Sequence, residues 1–221
     1  MHGPLATLVG IVGFSPVLDC YPLGPLLMAA LEAELDAVPG VRVENMTWSP
    51  LHIVQRFQDA GAERPGRLIL IGGASVSTEP GTVRAFRWKG GSLPPTVVQE
   101  RVYEAVTGIV DIENTLMIGE HFQVWPAECF TVEVDLPPDV FGRMVIADNE
   151  GWADDDALTE HLGFSPARTT AAIATQAAAL ARSGQSAAVA LSAKSAHTLA
   201  PVRPFIRNFT REPQATGAAG D

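Results

Sequence analysis

Cysteine is nearly absent. Cys20 and Cys129 are the only two in 221 residues, and they form no CxxC pair, so the chain offers neither a zinc knuckle nor a disulfide framework and reads as carrying two reduced thiols. Positive charge is scarce too. Fifteen Lys and Arg stand against 25 Asp and Glu, for a formal net charge of −10, which argues against a surface that tracks phosphates and excludes nucleic acid as a partner. Long apolar runs are missing. The longest, residues 5–14 and 23–31, fall far short of the roughly 20 residues that span a bilayer, and the N-terminus has no basic region followed by a hydrophobic segment, so a soluble cytoplasmic protein without membrane contact is expected. The common catalytic signatures are also lacking. GIVGF does not have the GxGxxG spacing, there is no Walker lysine loop, and no GxSxG elbow or histidine–acid pairing is visible.

What is present is the composition of a folded α/β protein, with 47% hydrophobic and 18% charged residues. The length suits one domain with a tail. LATLVGIVG (5–13) is apolar and β-branched, as in a strand covered on both faces. A helix then begins near Pro22–Pro25 and runs to about Val38, where Pro39-Gly40 stops it. VRVENMTW (41–48) alternates like a strand, and Ser49-Pro50 opens a short helix with Ser49 placed to cap it. RLILIGGA (67–74) is a buried strand ending in two glycines. TEPGTVRAFRW reads as a hairpin arm or edge strand, residues 97–120 as mostly helical despite Gly108, and ECFTVEVD (128–135) as a further strand.

From Leu136 to Gly163, Pro137-Pro138 and the acidic run ADDD mark an insertion or excursion. Asp154–Asp156 suits a solvated helix start better than a metal cluster, with Leu158, His161 and Leu162 following at helical intervals. FSPARTTAAIATQAAALARSG is a plain helix signal: Ser165 as cap, Pro166 at the first position, Arg182 near the end, Gly184 beyond. The expected organisation is a single α/β domain over 1–184, with 136–163 as insertion, and a C-terminal extension over 185–221 whose end is disordered by composition. The architecture expected is a three-layer α/β sandwich with a largely parallel central sheet.

In such sheets ligands collect where strand ends meet helix N-termini, which points to residues 13–24, residues 72–80 and the helix starting near Val97. Four stretches in these regions and beyond, VGIVGFSPVLDCYPLGPLLMAALEAEL, RLILIGGASVSTEPGTVRAF, WPAECFTVEVD and LGFSPARTTAAIATQAAALA, resemble in order and spacing the endopeptidases that mature nickel-iron hydrogenases by cutting a C-terminal extension from the large-subunit precursor. The resemblance covers about residues 7–183 and implies the fold of that family, phosphorylase/hydrolase-like. It implies a nickel carried by the substrate precursor and gripped by an acidic residue in the first loop, an Asp after the central strand and a His on the next helix.

The matching positions here hold other residues. Asp19 matches a non-ligating acidic position and Cys20 the first ligand, or Tyr21 if one residue is inserted before Gly24; Gly72 stands for the Asp, with Gly73 and Ala74 following; Val102 or Tyr103 stands for the His, with Glu104 beside it. The resemblance therefore points to a cleft with Asp19, Cys20, Tyr103 and Glu104 as the candidate catalytic side chains and Gly72 and Gly73 as its lining, with no metal ligand set and no resident cofactor assigned. Tyr103 and Glu104 equally suit the solvated face of a helix. The implied partner is the hydrogenase large-subunit precursor, met either as a divergent endopeptidase or as a non-catalytic docking protein that binds it or another protein in the same cleft. Trp48, Trp88, Trp125 and Trp152 suit core or rim packing, and the basic residues Arg203, Arg207 and Arg211 with Pro201 and Pro204 suit an interaction arm on an acidic body.

Overall fold

The computed structural model describes residues 7–12, 23–46, 49–61, 64–74, 79–107, 111–137, 139–152, 154–183 and 191–199. Within them six strands form one sheet in the order β2-β1-β3-β5-β4-β6: β1 (Thr7–Ile11), β2 (Val41–Asn45), β3 (Arg67–Ala74), β4 (Val83–Trp88), β5 (Glu128–Asp135) and β6 (Ser192–Lys194). β2, β1, β3 and β5 run parallel; β4 lies antiparallel to β5, and β6 parallel to β4. The seven helices among the described residues are α1 (Leu23–Leu35), α2 (Pro50–Asp59), α3 (Pro95–Val106), α4 (Ile112–His121), α5 (Val140–Asn149), α6 (Asp155–Leu162) and α7 (Pro166–Arg182).

Strand alternation sorts the core into two layers of contact. On one face Val9, Ile11, Ile69, Ile71, Phe130, Val132 and Val134 meet Leu27, Leu31 and Leu35 of α1 and Ile173, Ala174, Ala177 and Ala178 of α7. The leucines recur every four residues and so form one stripe, while the alanines let α7 come close. On the other face Leu8, Val12, Leu68, Leu70 and Cys129 meet Ile53, Val54 and Phe57 of α2, Ala105 of α3, and Ile112, Leu116 and Ile118 of α4. The result is a three-layer α/β sandwich. Cover on both faces is why β1 and β3 read as unbroken apolar runs. No helix among the described residues is long and apolar enough to cross a membrane.

Several elements differ from the sequence expectation. The helix expected over 97–120 is two helices: α3 starts at Pro95, and Asp111 caps α4 by accepting from the Asn114 backbone N–H at 2.7 Å. Ser49 occupies the cap position of α2 but makes no side-chain cap bond, leaving Pro50, which lacks the N–H, to begin the helix. β4 is not a hairpin arm on β3, because β5 lies between them; it pairs antiparallel with β5, and on its other side only Phe86–Trp88 are covered, by β6. Residues 191–199, assigned by sequence to an extension, hold β6 and a short 3-10 turn, Ala196–Thr198, whose Ala196 is buried in the second core.

The 136–163 region forms the pair α5 and α6 around a small core of its own, Met144, Ala147, Leu158, Leu162 and Phe164. Asp154 caps α6 as the acidic helix start predicts, and His161 packs edge-on against Trp152. Trp88 and Trp125 are packing residues with satisfied N–H groups, donating to Glu120 and to the Leu116 carbonyl; Trp48 lies outside the described residues. Asp155 ties this pair to α7, accepting from the Ser165 hydroxyl at 2.7 Å and the Ala167 N–H at 3.1 Å.

Those bonds, the Ser165 hydroxyl first, hold the Asp155 carboxyl below its ordinary pKa. A depressed carboxyl contributes stability above its unfolded value and loses it as pH falls through the folded one. Asp155→Asn should therefore flatten the acid limb of stability against pH below about 4, measured by urea unfolding at stepped pH.

Candidate functional site

β1, β3 and β5 all run toward one edge of the sheet, and β4 starts there, since Val83 pairs with Val134. The first turn of α4 lies over that edge. A Cβ on Gly72 would stand 2.9 Å from the Ile112 Cβ and 3.3 Å from the Val12 carbonyl oxygen, so the bare backbone of Gly72 is what admits α4. This is the place in the fold at which parallel sheets gather ligands.

One face of β5 turns polar as it reaches this edge. Thr131, Glu133 and Asp135 alternate along the strand, and all three are buried. The Thr131 hydroxyl donates to Glu133 at 2.7 Å, and Lys194 Nζ, arriving from β6, donates to both Glu133 oxygens at 2.9 and 2.7 Å. Asp135 pairs with Arg84 of β4 at 2.8 Å. Behind α4, Arg101 donates to Glu104 at 3.1 Å and to the Asn114 side-chain oxygen at 2.9 Å. Each of these three buried carboxylates thus faces a cation, as burial requires.

Glu113 is different. It is half-buried on the first turn of α4, 3.7 Å from a Lys194 already engaged by Glu133. Burial raises its pKa, with Lys194 opposing and Asp111 adding to the rise. Its carboxyl therefore keeps its proton to higher pH than an exposed glutamate does. Chemically the edge is a set of paired, buried charges, in which Glu113 is the carboxyl held least closely. Among the described residues no three His, Cys, Asp or Glu side chains come together to hold a metal.

The sequence-predicted residues separate. Gly72 and Gly73 lie on β3 at this edge. Asp19 and Cys20, with Tyr21, lie outside the described residues. Glu104 is not on a solvated face: it is 2% exposed, and Arg101 and Asn114 link it to the helix that covers Gly72. Tyr103 is 52% exposed and lines a separate outward groove, while Val102 leans on the second core. Cys129, on β5, is buried in the second core, and burial pushes its thiol pKa far up, which removes it as a nucleophile.

Sequence reasoning missed Thr131, Glu133, Glu113, Arg101, Asn114 and Lys194. For the β5 residues a signal existed: Thr, Glu and Asp at every second place in a strand next to the centre of the sheet. For Lys194 there was none, since a three-residue strand has no period to detect.

Lys194→Met leaves Glu133 charged and buried, and should lower unfolding free energy by roughly 3–5 kcal/mol, while Glu133→Gln in the same chain should restore much of it, read by a double-mutant cycle in urea. For Glu113 the sign is opposite to that of Asp155. A raised carboxyl keeps its proton in the folded state longer than in the unfolded one, so stability falls as pH rises. The wild type should lose ground to Glu113→Gln as pH rises from about 4, the ordinary carboxylate range, in the same assay.

No protein-family model matches the chain, and no curated protein matches it. Among solved structures the chain is similar to a protein of unknown function from Thermoplasma acidophilum, at 12% identity and a TM-score of 0.35, over 73% of this chain and 86% of that one.

Proposed function

We propose that the protein is a divergent relative of the nickel-iron hydrogenase maturation endopeptidases, on the same phosphorylase/hydrolase-like frame, and that it recognises the C-terminal region of a hydrogenase large-subunit precursor in the cytoplasm. The observation that carries the reading is the shared order of the four resembling stretches. In this chain RLILIGGA is β3, the Glu79-Pro80-Gly81 turn leads into β4, ECFTVEVD is β5 and the Ser165-Pro166 stretch opens α7. The cleft of the proposal is the edge built around Gly72 and the first turn of α4, with Asp19 and Cys20 on the chain that leaves β1.

A second reading is docking without a cut. It is favoured by the pairing of Glu104, Glu133 and Asp135 with Arg101, Lys194 and Arg84, because a carboxylate spent on a buried cation is not offered to a substrate's metal.

The deciding experiment incubates the purified chain with a nickel-loaded large-subunit precursor and reads the precursor's C-terminal mass, with Cys20→Ala in parallel. Loss of a defined C-terminal peptide is the outcome for a peptidase, and loss of that activity in Cys20→Ala assigns the thiol to it. Tight binding with an intact precursor is the outcome for a docking protein. Neither cleavage nor binding overturns the partner.

A further inference from the structure

Carboxylates that the fold draws inward find cations. Glu44, Glu104, Glu113, Glu128, Glu133 and Asp135 each have an Arg or Lys within ion-pair distance. Glu120 does not. It is half-buried in the last turn of α4, and its two oxygens accept from neutral donors, the Trp88 indole N–H at 2.9 Å and the Gly91 backbone N–H at 3.4 Å. Among the described residues no Lys, Arg or His forms an ion pair with it. The C-terminal end of a helix is also its negative pole, which opposes a carboxylate and holds a cation.

Glu120 lines a hollow of about 270 Å³, in which Leu93, Val98 and Met117 are the apolar wall and Ser92 and Gln123 the exposed polar rim. The volume is just below the roughly 300 Å³ at which ordinary organic-ligand pockets begin. The backbone is shaped around the carboxylate. A Cβ on Gly90, which sits at φ +65°, would collide with Glu120 Oε1, so the chain leading to α3 stays bare where the acid is seated. Gln123, just past α4, is the one non-glycine residue among those described with a left-handed backbone, at φ 54°. Glycine is the ordinary choice where a helix ends in that way, yet here the position keeps an amide side chain, and it borders the hollow.

We propose that this hollow binds a small organic cation, a primary alkylammonium, with Glu120 as its counter-ion and Leu93, Val98 and Met117 against its hydrocarbon chain. Each Glu120 oxygen accepts one bond and has a second lone pair, so the carboxylate still has room for a charged N–H donor. That selects a protonated amine over a quaternary one, which has no N–H to give. Three apolar side chains beside one charge suit a short stem, and the same charge repels phosphates and carboxylates. A net charge of −10 draws small cations toward the protein as a whole. The site is separate from the cleft at Gly72. Ile112 and Glu120 lie at opposite ends of α4, about 12 Å apart along its axis, and the two places share no residue.

The test titrates the full-length chain, isotope-labelled at tryptophan, with n-butylammonium chloride, and follows the Trp88 indole N–H, which touches Glu120 directly, by NMR. n-Butanol and sodium chloride are run alongside. A saturable shift of the Trp88 signal is expected with butylammonium, half-complete in the low millimolar range that so few atoms allow, and none with n-butanol or the salt. Glu120→Gln keeps the side chain's shape and should weaken binding about ten-fold. Ser92→Arg, at an exposed position, brings a cation of the chain's own to the rim and should weaken binding as much without lowering the thermal unfolding curve. No shift, an equal shift with n-butanol or sodium chloride, a shift that never saturates, or binding unchanged by Glu120→Gln or by Ser92→Arg would each overturn the proposal.

Discussion

A carboxylate in a strand covered on both faces has to find a cation, and Glu133 finds Lys194. That single pair sets much of the arrangement around it. Lys194 is held by the pairing of β6 with β4, by the Phe86 ring beneath its ammonium at 5.6 Å, and by Glu133 itself. The last strand is therefore bound to the domain through the buried charge of β5 as well as through its own few backbone bonds. The same rule repeats along the edge, where Arg84 answers Asp135 and Arg101 answers Glu104. Low dielectric makes each of these pairs costly to break and gives the edge a fixed pattern of charge.

Two close approaches seat α4 over that pattern. Gly72 lets Ile112 settle on β3, and Gly119, at the other end of the helix, has the Trp125 ring where a side chain would be. The Trp125 indole N–H donates back to the Leu116 carbonyl and its ring meets Phe57 edge-on. α4 is thus clamped between the sheet and α2 by residues that carry no charge, while Glu113 on its first turn faces Lys194 at the polar edge and Asn114 faces Arg101 on the other side.

Elements whose signals are local were legible in the sequence. β1 and β3 show as apolar runs, β5 shows as an alternation, and α7 shows through Ser165, Pro166 and its alanines, because capping, proline geometry and period act within a few residues. The break between α3 and α4 was only half legible: Gly108 marked a weak point, but the new start rests on Asp111 bonding to the Asn114 backbone N–H. Glu104 looked like a surface charge because its burial depends on Arg101 one turn back and on Asn114 across the helix pair. At the site, Gly72 and Gly73 were readable as a bare strand end; the charged partners arrive from β4, β6 and α3, and tertiary pairings of that kind leave no trace in a single stretch. Asp19 and Cys20 belong to residues 13–22, outside the described part, and stand as sequence expectations.

The placement of β6 has a consequence for how the protein is made. Phe86 and Ser192 are partners at distant points of the chain, so β4 emerges from the ribosome long before the strand that will cover it. Until Ser192–Lys194 emerge, the nascent chain carries an open strand edge beside Glu133, an acid still without its Lys194 counter-ion. Such non-local pairings are slow to form, and an uncovered edge is where chains join one another. Emergence of residues 192–194 is the step that ends this exposure.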